Sequence, residues 1–167
     1  MHPLVSLAKM AVERYVTTRM TLAPRELTAE MRERAAAFVS IKIEEQLRGC
    51  IGTIVPVRRN LAEEVVYNAI GSATQDPRFA PVTISELVYL TYSVDVLTAP
   101  ERVLDAADLD PAKYGLIVEA NLRRGVLLPE LEGVDTVEQQ ILICREKAGI
   151  LPKEPVALYR FLVKRYN

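Results

Sequence analysis

The sequence predicts an α+β fold of antiparallel sheets with flanking helices, and three observations carry that reading. Apolar residues recur at helical spacing in three separate segments, alternate with polar residues in several others, and the order strand, strand, helix, strand occurs twice along the chain. The second occurrence suggests a duplicated unit. With 167 residues, 50% hydrophobic and 26% charged, the chain is long enough to bury a core as one domain, 1–167.

Leu4, Leu7, Ala8, Ala11, Val12, Tyr15 and Val16 recur at three and four and mark a first helix, which the threonine-rich stretch and Pro24 end. Such a helix covers a sheet. Ala37 to Ile43 alternates toward its end, Leu47 to Val55 follows the polar Glu44-Glu45-Gln46, and the pair reads as a hairpin. Pro56 and Asn60 introduce a helix bearing Leu61, Val65, Val66, Ala69, Ile70 and Ala73, and Asp76-Pro77 closes it. Val88, Leu90, Tyr92, Val94 and Val96 then form one face of a third strand, with Thr91, Ser93 and Asp95 on the other.

The order repeats. Gly115 to Glu119 and Gly125 to Leu128 flank a turn at Asn121, Thr136 to Ala148 reads as a helix, and Leu158 to Tyr166 as a last strand with Tyr159, Phe161 and Val163 toward the core. Laying the two hairpins over each other puts Arg48-Gly49 on Arg124-Gly125 and Cys50 on Val126. A shared Arg-Gly pair is then a candidate device of the fold, whereas the thiol belongs to the first round alone.

Charge and composition exclude several function classes. Twenty-one basic residues against 22 acidic ones, with no basic run longer than a pair, argue against broad capture of nucleic acid. No apolar stretch reaches membrane-spanning length, and the first helix is interrupted by Lys9, Glu13 and Arg14, unlike a signal peptide. Two cysteines without CxxC spacing fit a reducing compartment, so the expected location is the cytoplasm. The only histidine is His2, which argues against a Cys-His dyad or a Ser-His-Asp triad. No cluster has metal-ligand spacing and no glycine-rich phosphate loop is present, so neither a transition metal nor another cofactor is expected.

What remains is Leu47-Arg48-Gly49-Cys50-Ile51-Gly52. On an extended strand, alternation places Arg48, Cys50 and Gly52 on one face, a guanidinium and a thiol beside bare backbone. In a catalytic reading Arg48 lowers the pKa of Cys50, which acts as nucleophile or redox thiol, and Asp76 moves a proton. In a binding reading Arg48 and Arg78 hold an acidic group while Gly49 and Gly52 leave room for the guest. In the structural reading Cys50 packs as a small hydrophobe, Cys144 does so on its helix, and Asp76 pairs internally with Arg48 or Arg78. The loop Asp76-Pro77-Arg78-Phe79 is open to both the binding and the structural account.

LRGCIG followed by DPRF closely resembles the AmmeMemoRadiSam system protein A family, whose conserved unit is an AMMECR-type domain. The resemblance extends through Ser93-Val94-Asp95-Val96-Leu97, Gly115-Leu116-Ile117-Val118, Arg124-Gly125-Val126-Leu127-Leu128-Pro129, Lys147-Ala148-Gly149 and Tyr159-Arg160-Phe161. It implies two unequal antiparallel-sheet subdomains around a cleft bordered by the LRGCIG strand. It implies a place in a modification pathway beside a Memo-like and a radical SAM protein, with a peptide, a protein or a modified small molecule as ligand. Family members commonly carry histidine before the Gly-Leu pair, where this chain has Tyr114, and the tryptophan usual before the last strand is absent.

Overall fold

Pro3 in the first turn, and a His2 imidazole that accepts a hydrogen bond from the Leu4 amide, start helix α1 (Pro3–Thr18). Its apolar stripe of Leu4, Ala8, Ala11 and Val12 is fully buried. The computed structural model describes every residue, Met1–Asn167, and divides the chain into two compact units: Met1–Leu97 with Lys164–Asn167, and Thr98–Val163.

In the first unit the short helix α2 (Ala29–Arg32) precedes strands β1 (Ala36–Ile43) and β2 (Gln46–Gly52), helix α3 (Leu61–Thr74) and strand β3 (Leu90–Leu97). Glu44 and Glu45 both take left-handed φ angles, 49° and 64°, in the two-residue turn that joins β1 to β2. The Asn60 side chain accepts from the Glu63 amide and caps α3. The sheet order is β2-β1-β3-β8, with β8 spanning Val163–Tyr166. Helices α1 and α3 share its core with Val39, Ile41, Tyr92 and Val94.

The second unit holds β4 (Glu101–Val103), β5 (Gly115–Ala120), β6 (Arg123–Leu127), α4 (Val137–Ala148) and β7 (Ala157–Phe161), with sheet order β4-β7-β5-β6. Thr136 and Gln139 form a capping box at the start of α4, and Gly149, at φ 67°, closes its end. Leu116, Val118, Leu127 and Cys144 are central to this unit's core.

The duplication predicted from the sequence holds in detail. Gly49 lies opposite Ile41 in one hairpin and Gly125 opposite Val118 in the other. A Cβ on Gly49 would sit 2.0 Å from the Ser72 carbonyl oxygen of α3, and one on Gly125 would sit 1.8 Å from the Cys144 carbonyl oxygen of α4. Glycine is thus the residue that lets each helix lie directly on its hairpin. The Ser72 hydroxyl donates to the Val39 carbonyl (2.7 Å), as the Cys144 thiol does to that of Leu116 (3.8 Å). One turn earlier, the Asn68 amide donates to the Ala37 carbonyl and the Gln140 amide to that of Tyr114.

Three boundaries differ from the sequence reading. The second strand, expected to reach Val55, ends at Gly52: beyond Thr53, whose amide donates to the Ala37 carbonyl, the Val57 and Arg58 amides donate to the Glu64 carboxylate instead of to a ladder. Val88, expected on the third strand, lies 80% exposed in a 3-10 turn, Ile84–Tyr89, that the Thr83–Glu86 capping box initiates. The last strand, expected to be continuous from Leu158 to Tyr166, is two strands: β7 pairs with β4 and β5, while β8 lies beside β3. Of its expected core residues Phe161 is buried, whereas Tyr159 and Val163 are only partly so. No helix is long and apolar enough to cross a membrane.

Candidate functional site

Strand β2 carries one irregularity, and it falls at Arg48. Lys42 pairs with Leu47 and Ile41 with Gly49, so Arg48 is an extra, unpaired residue, a β-bulge. Beyond it alternation resumes. Gly49 and Ile51 meet α3, while Cys50 lies opposite Ser40 and Gly52 opposite Phe38 on the other face of the sheet.

The bulge corrects the expected coupling of Arg48 to Cys50. Arg48 Nε and Nη2 donate to the two carboxylate oxygens of Glu86, at 2.7 and 3.2 Å, and Nη1 is buried without a partner. This fork-to-fork pair holds the Glu86 carboxyl down to about 2. Burial pushes the Cys50 thiol up from its ordinary value, and Asp95 and Asp76 add to the rise. The Ser40 hydroxyl, 3.3 Å from the sulfur, and the Arg78 charge act in the opposite direction; Arg48 is not among the groups that move it. The half-buried Cys50 is therefore held as a thiol.

Asp76 is buried at the end of α3 and fully engaged. Its carboxylate accepts from the Cys50 amide (2.9 Å), the Arg78 amide (3.1 Å), and Arg78 Nε and Nη2 (3.0 and 2.7 Å). The Arg78 guanidinium, aided by those amides, holds its carboxyl far below the usual carboxylate range. An acid so firmly ionised is a poor proton donor at neutral pH, and the Asp76–Arg78 pair is the internal pairing that the sequence left open. Arg78 nevertheless keeps its side chain 56% exposed. Its guanidinium and that of Arg48 lie 5.4 and 5.9 Å from the centroid of the same ring, Phe79.

The space left by both glycines is taken from within the chain. The Ser72 carbonyl fills that beside Gly49, and the Phe38 ring approaches to 2.2 Å of where a Cβ on Gly52 would lie. Cys144 is fully buried and its thiol is pushed up to about 12 by burial. Tyr114 has a packing task, with its ring 4.3 Å from the Arg160 guanidinium. No three His, Cys, Asp or Glu side chains converge on a point that a metal ion could occupy.

Sequence reasoning missed Glu86, Ser40 and the buried Asp95, which pairs with Arg165 at 2.7 and 2.9 Å. A signal existed for the first, since Thr83-Ile84-Ser85-Glu86 has the spacing of a capping box. Ser40 and Asp95 are polar positions of strands in which polar and apolar residues alternate, so they did not stand out from Lys42, Thr91 and Ser93.

These features define an α+β protein of two four-stranded sheets, with a bulged Arg-Gly-Cys strand locked to the loop that follows its helix. The chain belongs to the AMMECR1 family, whose model matches residues 5–166. A protein of Thermotoga maritima is 49% identical, over 99% of this chain and 98% of its own. Protein CA_C1420 of Clostridium acetobutylicum is 46% identical over 99% of this chain but only 36% of its own length. The crystal structure of the uncharacterised protein PH0010 from Pyrococcus horikoshii superposes with a TM-score of 0.90 at 33% identity, covering 97% of this chain and 88% of that one.

Proposed function

We propose that this protein is a cytoplasmic, noncatalytic binding module that takes an anionic group of a peptide, a protein or a modified small molecule on Arg78 and Arg48. The single observation that carries the reading is Arg78: anchored by three hydrogen bonds to buried Asp76, it remains more than half exposed. A guanidinium fixed in this way meets an anion with little ordering cost. An acceptor that reaches Nη1 of Arg48 also satisfies a buried donor, worth about 1–3 kcal/mol. The protonated thiol of Cys50 and the occupied carboxylate of Asp76 favour binding over nucleophilic or redox catalysis.

The resemblance to AmmeMemoRadiSam system protein A supports reading such a module as part of a modification pathway with Memo-like and radical SAM partners. Residues 1–167 then act as one AMMECR-type domain. The Clostridium relative, in which the matched region is a minor part of a longer chain, supports work alongside other protein segments.

NMR titration with inorganic phosphate and with acetate tests the reading. Shifts at Arg78 and the Cys50 amide are expected, with affinity falling about tenfold in Arg78→Ala and unchanged in Cys50→Ser. An unchanged affinity in Arg78→Ala sinks the proposal. The pH profile of Cys50 alkylation tests the catalytic alternative: a midpoint above the ordinary thiol value fits the binding module, and one below it revives the nucleophile.

A further inference from the structure

A second surface of the first unit has the form of a peptide site, and no residue of the Arg78 loop lines it. One stripe of α1 and the chain from Thr21 to Glu26 enclose a groove of about 620 Å³. Its apolar lining includes Leu7, Met10, Leu22, Pro24 and Met31; Leu7 and Met31 are buried at its floor, and Met10 is 48% exposed. Arg14 and Arg25 line the same groove, both exposed, and neither makes an ion pair. Glu26 is the one acidic residue on the lining.

We infer that this groove binds an acidic amphipathic segment of a partner protein, with leucine-type side chains on the apolar lining and carboxylates on Arg14 and Arg25. Charge sets the sign of the guest, since two unpaired arginines outweigh one glutamate. Methionine sets its tolerance, because the unbranched thioether of Met10 adapts to differently shaped apolar side chains. The groove follows a helix stripe, the shape that takes one face of a second amphipathic segment. A protein guest also agrees with the Clostridium relative, where most of the chain lies outside the matched region.

Fluorescence anisotropy with a fluorescein-labelled helical peptide of leucine and glutamate, and with its leucine–lysine counterpart, tests this on the full chain. The acidic peptide is expected to bind, more weakly as salt rises, and the basic one not to. Arg14→Glu with Arg25→Glu should weaken binding about tenfold or more, and Met10→Asp should weaken it severalfold. All three positions are exposed, so thermal unfolding should barely change, which separates loss of binding from loss of fold. Arg78→Ala should leave peptide affinity intact; this keeps the groove distinguishable from the anion site. Equal binding of both peptides, unchanged affinity in the double variant, or loss in Arg78→Ala overturns the inference. So does self-association or binding to phosphatidylserine vesicles that depends on Met10, Arg14 and Arg25 while the acidic peptide fails to bind.

Discussion

The two hairpin-and-helix units use the same Arg-Gly pair differently, and one residue makes the difference. From Ile41 to Gly49 the first hairpin takes one residue more than the second takes from Val118 to Gly125. In the second unit Arg124 sits in regular register opposite Glu119 and bonds to it across the ladder at 2.7 Å. In the first unit the bulge releases Arg48 from the ladder, and its guanidinium reaches Glu86, 38 residues further along. The glycine keeps the same task in both: to admit the helix. What the first unit adds, namely Cys50 in place of Val126 and the Asp76–Arg78 lock, is built on a shared frame.

The comparison is broken most forcefully at Asp76, which has no acidic counterpart in the second unit. Asp76→Asn is expected to cost about 1.5–3 kcal/mol in urea unfolding, because it takes the charged acceptor from the Cys50 amide and from Arg78, whose guanidinium stays open to water. A loss below about 1 kcal/mol means that the lock is dispensable. Next come the glycines. Gly49→Ala and Gly125→Ala each force a helix carbonyl aside and should each cost about 1–3 kcal/mol or more. Markedly unequal losses from these two substitutions argue against equivalent roles.

Smaller effects separate the two arginines. Arg48→Ala strands the partly buried Glu86 and should cost about 1–3 kcal/mol, whereas Arg124→Ala removes a more exposed pair and should cost below about 1 kcal/mol. Glu86 also sets an acid limb. Its carboxyl is lower in the folded chain than its ordinary value of 4.5, so its stabilisation is complete above 4.5 and fades as pH falls toward about 2. Arg48→Ala should flatten that limb, while Arg124→Ala should leave it in place. The smallest expected difference is chemical. Cys50 should be alkylated slowly in the native protein, and the sealed Cys144 only on unfolding.

Much of this frame was legible in the sequence. Apolar spacing marked α1, α3 and α4 to within a few residues, and alternation marked the hairpins, because each of those patterns is enforced by one buried face. The recurring order of strand, strand, helix, strand identified the repeat, and laying the hairpins over each other aligned Arg48-Gly49 with Arg124-Gly125. Alternation could not reveal the bulge at Arg48, since it assumes the very register that an inserted residue breaks. Nor did it separate β7 from β8: Leu158 to Tyr166 reads as one extended run, and only pairing partners show that it serves two sheets. The loop residues Asp76 and Arg78 were found, but the partner of Arg48 was not, since the separation from Glu86 is set by tertiary packing.

That division of the last run gives the chain a nested order. Every strand of the second sheet lies between β3 and β8 in sequence, so during synthesis the inserted unit emerges whole while the surrounding sheet still lacks its fourth strand. The outer unit can be finished only when Lys164–Asn167 leave the ribosome, and removal of those few residues is expected to weaken the unit that lies ahead of the insertion.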